Sequence, residues 1–300
     1  MVSPVSADPR GGATRSLLEA ALAFRLATTA FAVLWAVLLT AACPVQVLAQ
    51  GVVTRIAGSG GAVGSTDGTG SAARFRSPIG VVMNTAGTVA YVSDQGNFTI
   101  RRIDLVTSAV TTLAGSPGQR GSLDGTGAAA QFNYSSGLAL TADGAVLFVA
   151  ETSSHTIRQI NIATAEVTTI AGTSGQSGMV NATGASARFS SPYGLALKSD
   201  GTTLYVADMM NCKIRAINLT TMAVTTVAGN AGGFADGVGT AARFNNPTGL
   251  AADGNGRLFV ADSINNRIRQ IDLVSLQVST LAGNATQGSA DGVGAAATNR

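Results

Sequence analysis

Acidic, amide and guanidinium side chains return along this 300-residue chain at a regular spacing. An acidic residue followed three positions later by a small polar residue occurs in four places: Asp94/Asn97, Glu151/Ser154, Asp208/Asn211 and Asp262/Asn265. Carboxylate and amide oxygens are the ligands that Ca²⁺ prefers. Short polar side chains also stabilise turns by capping backbone groups. Because the motif repeats, we expect turn capping at most of these positions and keep calcium binding as the alternative.

An arginine follows each of these motifs at the same distance, giving Arg101, Arg158, Arg215 and Arg269. This spacing places each guanidinium one strand away from the acidic residue, where a cross-strand or inter-sheet ion pair can form. The alternative is a ring of cations around a central channel that binds an anion or a phosphate. We expect structural ion pairs, because the same pairing returns in every repeat.

Residues suited to nucleophilic catalysis are scarce. His155 is the only histidine, and the only cysteines are Cys43 and Cys212. His155 and Cys212 occupy the same position in adjacent repeats, which is typical of a variable surface position rather than of a catalytic pair. The sequence therefore predicts no catalytic residue, no metal site and no cofactor.

A segment of six residues recurs along the chain. It begins at Val53 and returns at Val110, Val167, Val224 and Val278, in steps of 57 residues and finally 54. Each unit contains four short runs of β-forming residues separated by turns, as in Gly194 to Val227. A single four-stranded meander cannot bury both of its faces, so the units must pack face to face around an axis. The pattern predicts an all-β propeller.

The run from Gly194 to Ile217, with its G-L-A, L-Y-V-A-D and I-R-x-I segments, resembles the NHL repeat. This resemblance implies four-stranded propeller blades. Complete blades are predicted at about 78–115, 135–172, 192–229 and 247–283, within a domain of residues 51–300. Residues 52–57 repeat the fourth strand alone, so we expect either an incomplete five- or six-bladed ring or a strained four-bladed one, with open blade edges that could self-associate.

The units are longer than typical NHL repeats because a glycine-rich insertion follows each fourth strand. Its Ala-Ala-Arg-Phe portion predicts a short helical turn whose Phe fills the space between blades. In an antiparallel meander the insertion and the turn after the second strand lie on the same side, and elaborated loops commonly carry function. We expect ligands on this side, with these candidate contacts: Asp94, Asn97, Phe98, Arg120, Glu151, His155, Asp208, Asn211, Asp262 and Asn265.

The first fifty residues differ from the repeats. Arginines extend to Arg25, and residues 26–43 are uncharged and largely apolar, followed by a small-residue cleavage pattern ending at Ala49. This arrangement is typical of an apolar helix that serves as a secretory signal or a retained membrane anchor. The protein is therefore expected to be secreted or held on the outer face of a membrane. Asn-x-Ser/Thr sequons at Asn97, Asn133, Asn181, Asn218 and Asn284 would suit a glycosylated surface.

Composition narrows the function further. The chain is 46% hydrophobic and 12% charged with a formal net charge of +3, which indicates a folded protein without a strongly basic groove for nucleic acid. We predict a non-enzymatic recognition scaffold that binds a protein, peptide or glycan. The alternative is a calcium-dependent enzyme of the propeller lyase or lactonase type, using Asp94, Asp208 or Asp262. The histidines that the resemblance implies for propeller lyases are largely missing.

Overall fold

Six-residue runs rich in Val, Ile, Leu and Thr alternate with glycine-containing turns, and these runs form the strands. The computed structural model describes residues 53–298, in which four antiparallel sheets follow one another along the chain. Residues from Arg55 onward belong to one compact unit. The predictions for residues 1–50, including the apolar helix, the cleavage site and the anchor at 26–43, lie outside the described residues.

The strands of the four sheets follow in chain order. The first sheet contains β1 (Gly68–Thr69), β2 (Pro78–Met83), β3 (Val89–Asp94), β4 (Thr99–Asp104) and β5 (Ala109–Ala114). The second contains β6 (Gly125–Thr126), β7 (Ser135–Leu140), β8 (Val146–Glu151), β9 (Thr156–Asn161) and β10 (Glu166–Ala171). The third contains β11 (Pro192–Leu197), β12 (Thr203–Asp208), β13 (Lys213–Asn218) and β14 (Val224–Ala228). The fourth contains β15 (Gly237–Val238), β16 (Pro247–Ala252), β17 (Arg257–Asp262), β18 (Arg267–Asp272) and β19 (Gln277–Ala282).

Short 3-10 turns occupy the connections on one side of the sheets. They lie at Gly70–Ala72, Gln95–Asn97, Gly127–Ala129, Gly184–Ser186, Met209–Asn211, Gly239–Ala241, Ser263–Asn265 and Gly294–Ala296. Among the described residues, no helix is long and apolar enough to cross a membrane.

Each sheet is the predicted four-stranded meander, so the propeller-blade prediction is confirmed. The structure adds one feature that we did not predict. Each of the two-residue strands β1, β6 and β15 comes from an insertion and pairs with the outer edge of its blade's fourth strand, as Gly68 does opposite Val110. In the third blade a single bridge between Thr183 and Ala223 takes this place. The insertion therefore covers the outermost strand and reduces its exposed edge.

Apolar side chains fill the spaces between successive blades. Phe132, Phe189 and Phe244 each follow a 3-10 turn of the insertion and have no exposed surface. Each lies in an apolar cluster that contains residues of two successive blades. The prediction of a short turn with an inter-blade Phe is confirmed, and these rings contribute much of the contact that holds neighbouring blades together.

The four first strands, β2, β7, β11 and β16, lie side by side around a cavity of about 190 Å³. Their close approach depends on glycine. A Cβ added to Gly80, Gly137 or Gly194 would overlap a backbone carbonyl oxygen of the next blade's first strand. Gly249 of the fourth blade differs, since the nearest atom to such a Cβ is Ala261 Cβ at 3.4 Å.

The outward faces of the first and fourth blades are exposed, whereas the equivalent faces of the blades between them are buried. Val81 of the first blade is 67% exposed, whereas its repeat equivalents Leu138 and Leu195 are 8% and 6% exposed. Within the described residues, Val53 to Ala57 belong to no strand, so this copy of the fourth-strand sequence stays unpaired there. The number of blades in a complete ring stays a prediction.

Candidate ligand-binding face

The insertions and the 3-10 turns after the second strands lie together on one side of the blades, which we call the insertion face. Direct hydrogen bonds join the two kinds of loop. The Nδ2 amide of Asn97 donates to the Gly64 carbonyl oxygen at 2.6 Å, and Asn211 makes the same bond to Gly178 at 2.6 Å. Hydrogen bonds therefore hold the insertions and these turns together on the insertion face.

The acidic residue of each motif lies at the centre of a buried polar cluster. Asp94 has no exposed surface. Its Oδ1 accepts the backbone N–H of Arg76 at 2.7 Å, and its Oδ2 accepts Asn97 Nδ2 at 2.7 Å and Arg101 Nη1 at 2.8 Å. The expected turn capping is wrong in one respect. The Asp94 carboxylate accepts the Asn97 side chain but no backbone N–H of its own turn, because it is turned inward toward the arginine.

The arginine extends the cluster to the insertion. Arg101 Nη2 donates to Asp67 Oδ1 at 2.6 Å, and the guanidinium carbon lies 5.0 Å from the centre of the Phe75 ring. Asp67 in turn accepts the backbone N–H of Thr112 in the fourth strand at 3.1 Å. One buried guanidinium thus joins the third strand, the end of the second strand, the insertion and an aromatic ring.

The same cluster returns in the other three blades. The guanidinium-to-acid distances are 2.6 Å for Arg158 and Glu151, 2.7 Å for Arg215 and Asp208, and 2.7 Å for Arg269 and Asp262. All four arginine side chains are fully buried. The ion-pair prediction is confirmed, and the alternative of an open ring of cations is wrong because each guanidinium is enclosed and already bonded.

The second blade reaches the same arrangement with different residues. Glu151 is one methylene longer than aspartate, and its Oε2 accepts Arg158 Nη1 at 2.6 Å and Thr156 Oγ1 at 3.0 Å. Ser154 replaces the asparagine and bonds Ser122 Oγ at 2.6 Å. Burial raises the pKa of the Glu151 carboxyl, and the Arg158 guanidinium opposes that rise. Burial also raises the pKa of Asp208, against the hydrogen bonds from Asn211 and Ser190.

These contacts determine what the acidic candidates can do. Asp94, Asp208 and Asp262, proposed above as calcium ligands, each have a guanidinium nitrogen within 2.8 Å, and a cation at that point would meet the positive charge already there. No cluster of three or more His, Cys, Asp or Glu side chains that could hold a metal occurs within residues 53–298. A ligand contact by Asp94, Glu151, Asp208 or Asp262 stays a prediction.

The candidates Phe98 and His155 share a repeat position with Cys212 and Asn266, directly after the turn that joins the second and third strands. Phe98, His155, Cys212 and Asn266 all adopt a left-handed backbone, with φ between 53° and 61°. The Phe98 and His155 side chains contact the next blade, at Tyr134 and Ser191 respectively. The Phe98 and Tyr134 rings meet edge to face at 5.7 Å.

The equivalent junction between the second and third blades uses His155. Its Nδ1 accepts the backbone N–H of Ser191 at 3.0 Å, which requires that nitrogen to be unprotonated. Burial lowers the pKa of His155, while the nearby Asp208 carboxylate acts in the opposite direction. His155 therefore links blades as a neutral side chain.

Arg120 lies in the second insertion, with its guanidinium carbon 5.5 Å from the centre of the Tyr134 ring. Sequence reasoning missed Tyr134 and Arg267. Arg267 stacks on Phe234 at 3.9 Å in the fourth blade. The signal was present in the repeat, because serine or asparagine stands at the positions equivalent to Tyr134, and threonine or lysine at those equivalent to Arg267.

The glycosylation prediction is wrong at Asn97. This residue is 6% exposed, and its Nδ2 atom, to which a glycan would be attached, bonds Gly64 and Asp94. The Nδ2 atom of Asn284 likewise donates to the Ala295 carbonyl oxygen, at 2.8 Å. Modification at the other sequons stays a prediction.

Comparison with known proteins agrees with this architecture. The NHL repeat family model matches residues 244–271, which span most of the fourth blade. Protein SUPPRESSOR OF QUENCHING 1 of Arabidopsis thaliana is 28% identical over 246 residues, covering 78% of this chain and 23% of that protein. NHL repeat-containing protein 2 of Homo sapiens is 30% identical over 251 residues, covering 73% of this chain and 34% of that protein. The chain thus spans about a quarter to a third of the length of these relatives.

A solved structure shows the same fold. The auxiliary nutrient binding protein of Bacteroides ovatus superimposes with a TM-score of 0.54 at 20% identity, over 70% of this chain and 50% of that one. The four repeated meanders, the inter-blade phenylalanines and the buried arginine clusters lead to one assignment. This chain belongs to the NHL-repeat family.

Proposed function

We propose that this protein is a recognition scaffold that binds a protein, peptide or glycan through the insertion face, and that it acts outside the cytoplasm. The proposal on location rests on the apolar segment 26–43 of the sequence. The proposal on binding rests on the distribution of side chains across the blades.

One observation carries the binding proposal. Where the repeat requires a side chain for architecture, the structure shows it buried and bonded, as with the arginine clusters and the inter-blade phenylalanines. Apart from the turn position of His155 and Cys212, several places where the repeat is broken on the insertion face carry exposed side chains. Arg120 is exposed, as are Tyr134 (39%), Phe234 (45%) and Met179 (64%). Exposed aromatic and arginine side chains are typical of binding surfaces.

The catalytic alternative has no comparable support among residues 53–298. Cys212 is buried, and His155 is engaged with the next blade. The acidic residues that could activate a water molecule already bond arginines. Binding without chemistry is the function that this arrangement supports best.

The test is a selection followed by a mapping experiment. The full chain is presented to a random peptide display library and to a glycan array, and the selected binders are then mapped by amide hydrogen exchange. We expect binding to slow exchange in the insertions and in the turns at Gln95–Asn97 and Met209–Asn211. Protection confined to the opposite side, at the turns joining first and second strands, would contradict the proposal.

A further inference from the structure

Basic residues that form no ion pair lie on one side of the blades, and acidic residues that form none lie mainly on the other. On the insertion face, within residues 53–298, the basic residues without an ion pair are Arg74, Arg76, Arg120, Arg188, Lys213, Arg243 and Arg267. The acidic residues of this face are bonded to the buried arginines, apart from Asp291.

The opposite side has the reverse arrangement. Its basic residues Lys198, Arg257 and Arg102 are each within 4.0 Å of an aspartate. The hydrogen bond from Lys198 lowers the pKa of Asp200 to about 2. Within the described part of the chain, Asp143, Glu166 and Asp272 remain there without a basic partner. The insertion face is thus the positive side of a molecule whose total charge is nearly balanced.

Two of the unpaired arginines are held by aromatic rings. Arg120 lies over Tyr134 at 5.5 Å and makes no other polar contact among the described residues. Arg267 lies over Phe234 at 3.9 Å, and its Nη1 donates to the Asn265 carbonyl oxygen at 3.0 Å. Stacking fixes the plane of a guanidinium while leaving N–H groups at its edge free, so less entropy is lost when a carboxylate binds.

Neither arginine is required by the blades. The positions equivalent to Arg120 in the first and third insertions are Val63 and Ser177. The positions equivalent to Phe234 include Ser122 and Met179. Blades with these other residues have the same four long strands and a buried arginine bonded to the acidic residue at the end of the second strand. The two arginines are therefore additions to the fold, whereas their rings also pack within it, Phe234 over the buried Arg269 at 4.9 Å and Tyr134 against Phe98 at 5.7 Å.

We infer that the Arg120/Tyr134 and Arg267/Phe234 pairs are carboxylate-binding points for an acidic polypeptide segment that lies across the insertion face. This inference rests on the proposed function and specifies its partner. Each guanidinium accepts an Asp or Glu carboxylate at its free edge, and the exposed rings contact the apolar side chains between the acidic residues.

A polypeptide fits this surface better than a nucleic acid does. Asp67, Asp124 and Asp236 interrupt the basic residues, and their side chains are 48%, 47% and 44% exposed. A phosphate backbone carries a charge on every nucleotide and would meet these carboxylates along its path. In a polypeptide the acidic residues can be spaced to match separate arginines, with neutral residues beside the aspartates.

The experiment measures fluorescence anisotropy of the full chain with a labelled peptide of repeated Glu-Glu-Tyr units. The reference probes are the Gln-Gln-Tyr and Lys-Lys-Tyr peptides, an oligoadenylate RNA and heparin. We expect the acidic peptide to bind most tightly and to weaken as salt is added. Arg120→Gln and Arg267→Gln should each weaken binding about tenfold, the effect of losing one charge-assisted hydrogen bond.

Arg257→Gln is the matched control, because it removes an arginine from the opposite side, and its affinity should equal that of the unaltered chain. Arg120→Lys keeps the charge without the stacked plane and should recover only part of the affinity. Equal binding of the Gln-Gln-Tyr peptide, tighter binding of RNA or heparin, or unchanged affinity in both glutamine variants would overturn the inference. If the acidic peptide fails while another selected binder still slows exchange on the insertion face, the proposed function stands and only its partner class is wrong.

Discussion

The axial glycines provide a sharp test of the blade packing. In Gly137→Ala the new Cβ would overlap the Tyr193 carbonyl oxygen and would lie 2.9 Å from Gly194 Cα. In Gly194→Ala it would overlap the Thr248 carbonyl oxygen and lie 3.1 Å from that carbonyl carbon. Ordinary carbon contacts are about 3.5 to 4.0 Å. The neighbouring first strand must therefore move by roughly 1 Å, because a backbone carbonyl has no alternative rotamer.

The size of the effect follows from the contacts that this movement disturbs. Ser136 Oγ donates to the Tyr193 carbonyl oxygen at 3.0 Å, and Thr152 Oγ1 donates to the Pro192 carbonyl oxygen at 3.0 Å. Weakening these bonds and overpacking the strands together predicts a loss of about 3 kcal/mol in the free energy of unfolding. For a domain of this size, that corresponds to a fall of roughly 6 to 12 °C in Tm.

Gly249→Ala is the matched control. Its Cβ would make an ordinary 3.4 Å contact with Ala261 Cβ, so the free energy of unfolding should change by less than about 0.5 kcal/mol. Urea and thermal unfolding followed by circular dichroism measure all three variants, and amide exchange in β7 and β11 shows where the loosening occurs. A loss at Gly249→Ala equal to that at Gly137→Ala, or no loss at Gly137→Ala, would refute the reasoning.

Three further changes test other parts of the fold. Phe189→Ala empties a fully enclosed inter-blade site and should lower the free energy of unfolding in urea by about 3 to 5 kcal/mol. Phe75→Ala, at the partly exposed equivalent position before the first blade, should lower it less. Equal losses would contradict the burial argument. Asp208→Asn leaves the buried Arg215 guanidinium without a counter-charge and should lower the free energy of unfolding in urea by about 3 to 5 kcal/mol. A loss below about 1 kcal/mol would contradict the stabilising role assigned to the cluster. Because burial lowers the pKa of folded His155, the unfolded chain takes up its proton first as the pH falls below about 6.5, so stability should drop on acidification from about pH 7 to 5. His155→Gln should flatten the dependence of the urea midpoint on pH, and an unchanged slope would exclude this histidine as its source.

Much of the fold could be predicted because each blade repeats the same local sequence pattern. Strand lengths, the inter-blade Phe and the acid-arginine pairing all follow from residues that return in register, and four copies separate the pattern from coincidence. The second side-chain partner of each arginine was harder to predict from the sequence. Asp67 lies 34 residues before Arg101, and only the three-dimensional placement of the insertion brings them together. Its recurrence as Asp124 and Asp236 was a signal that could have been used.

Contacts between blades were harder to predict. Phe98 and Tyr134 meet because one blade is rotated relative to the next, and no periodicity within a strand encodes that rotation. The inward orientation of the Asp94 carboxylate was missed for a similar reason. Turn chemistry predicts a side chain that caps its own turn, whereas the buried guanidinium of Arg101 offers a stronger, charge-assisted bond.

The second blade shows how a structural substitution can be distinguished from a functional one. Glu151 is longer than its equivalents, and the change is matched by a shorter Ser154, while the Thr156 hydroxyl donates to the carboxylate. The geometry around Arg158 is kept, so these changes compensate one another. A position that serves architecture cannot change alone without leaving a buried group unpaired.

Arg120 and Tyr134 behave differently. Val63 and Ser177 replace Arg120 in the other insertions without a change in a buried partner. Tyr134 changes together with the side chain that it faces, since His155 replaces Phe98 where Ser191 replaces Tyr134. A large aromatic ring carrying a stacked cation at an exposed position adds nothing that the other blades need in order to fold. We propose that its presence in one blade serves binding from outside, so the insertion face, rather than the buried arginine clusters, is the place to look for the partner.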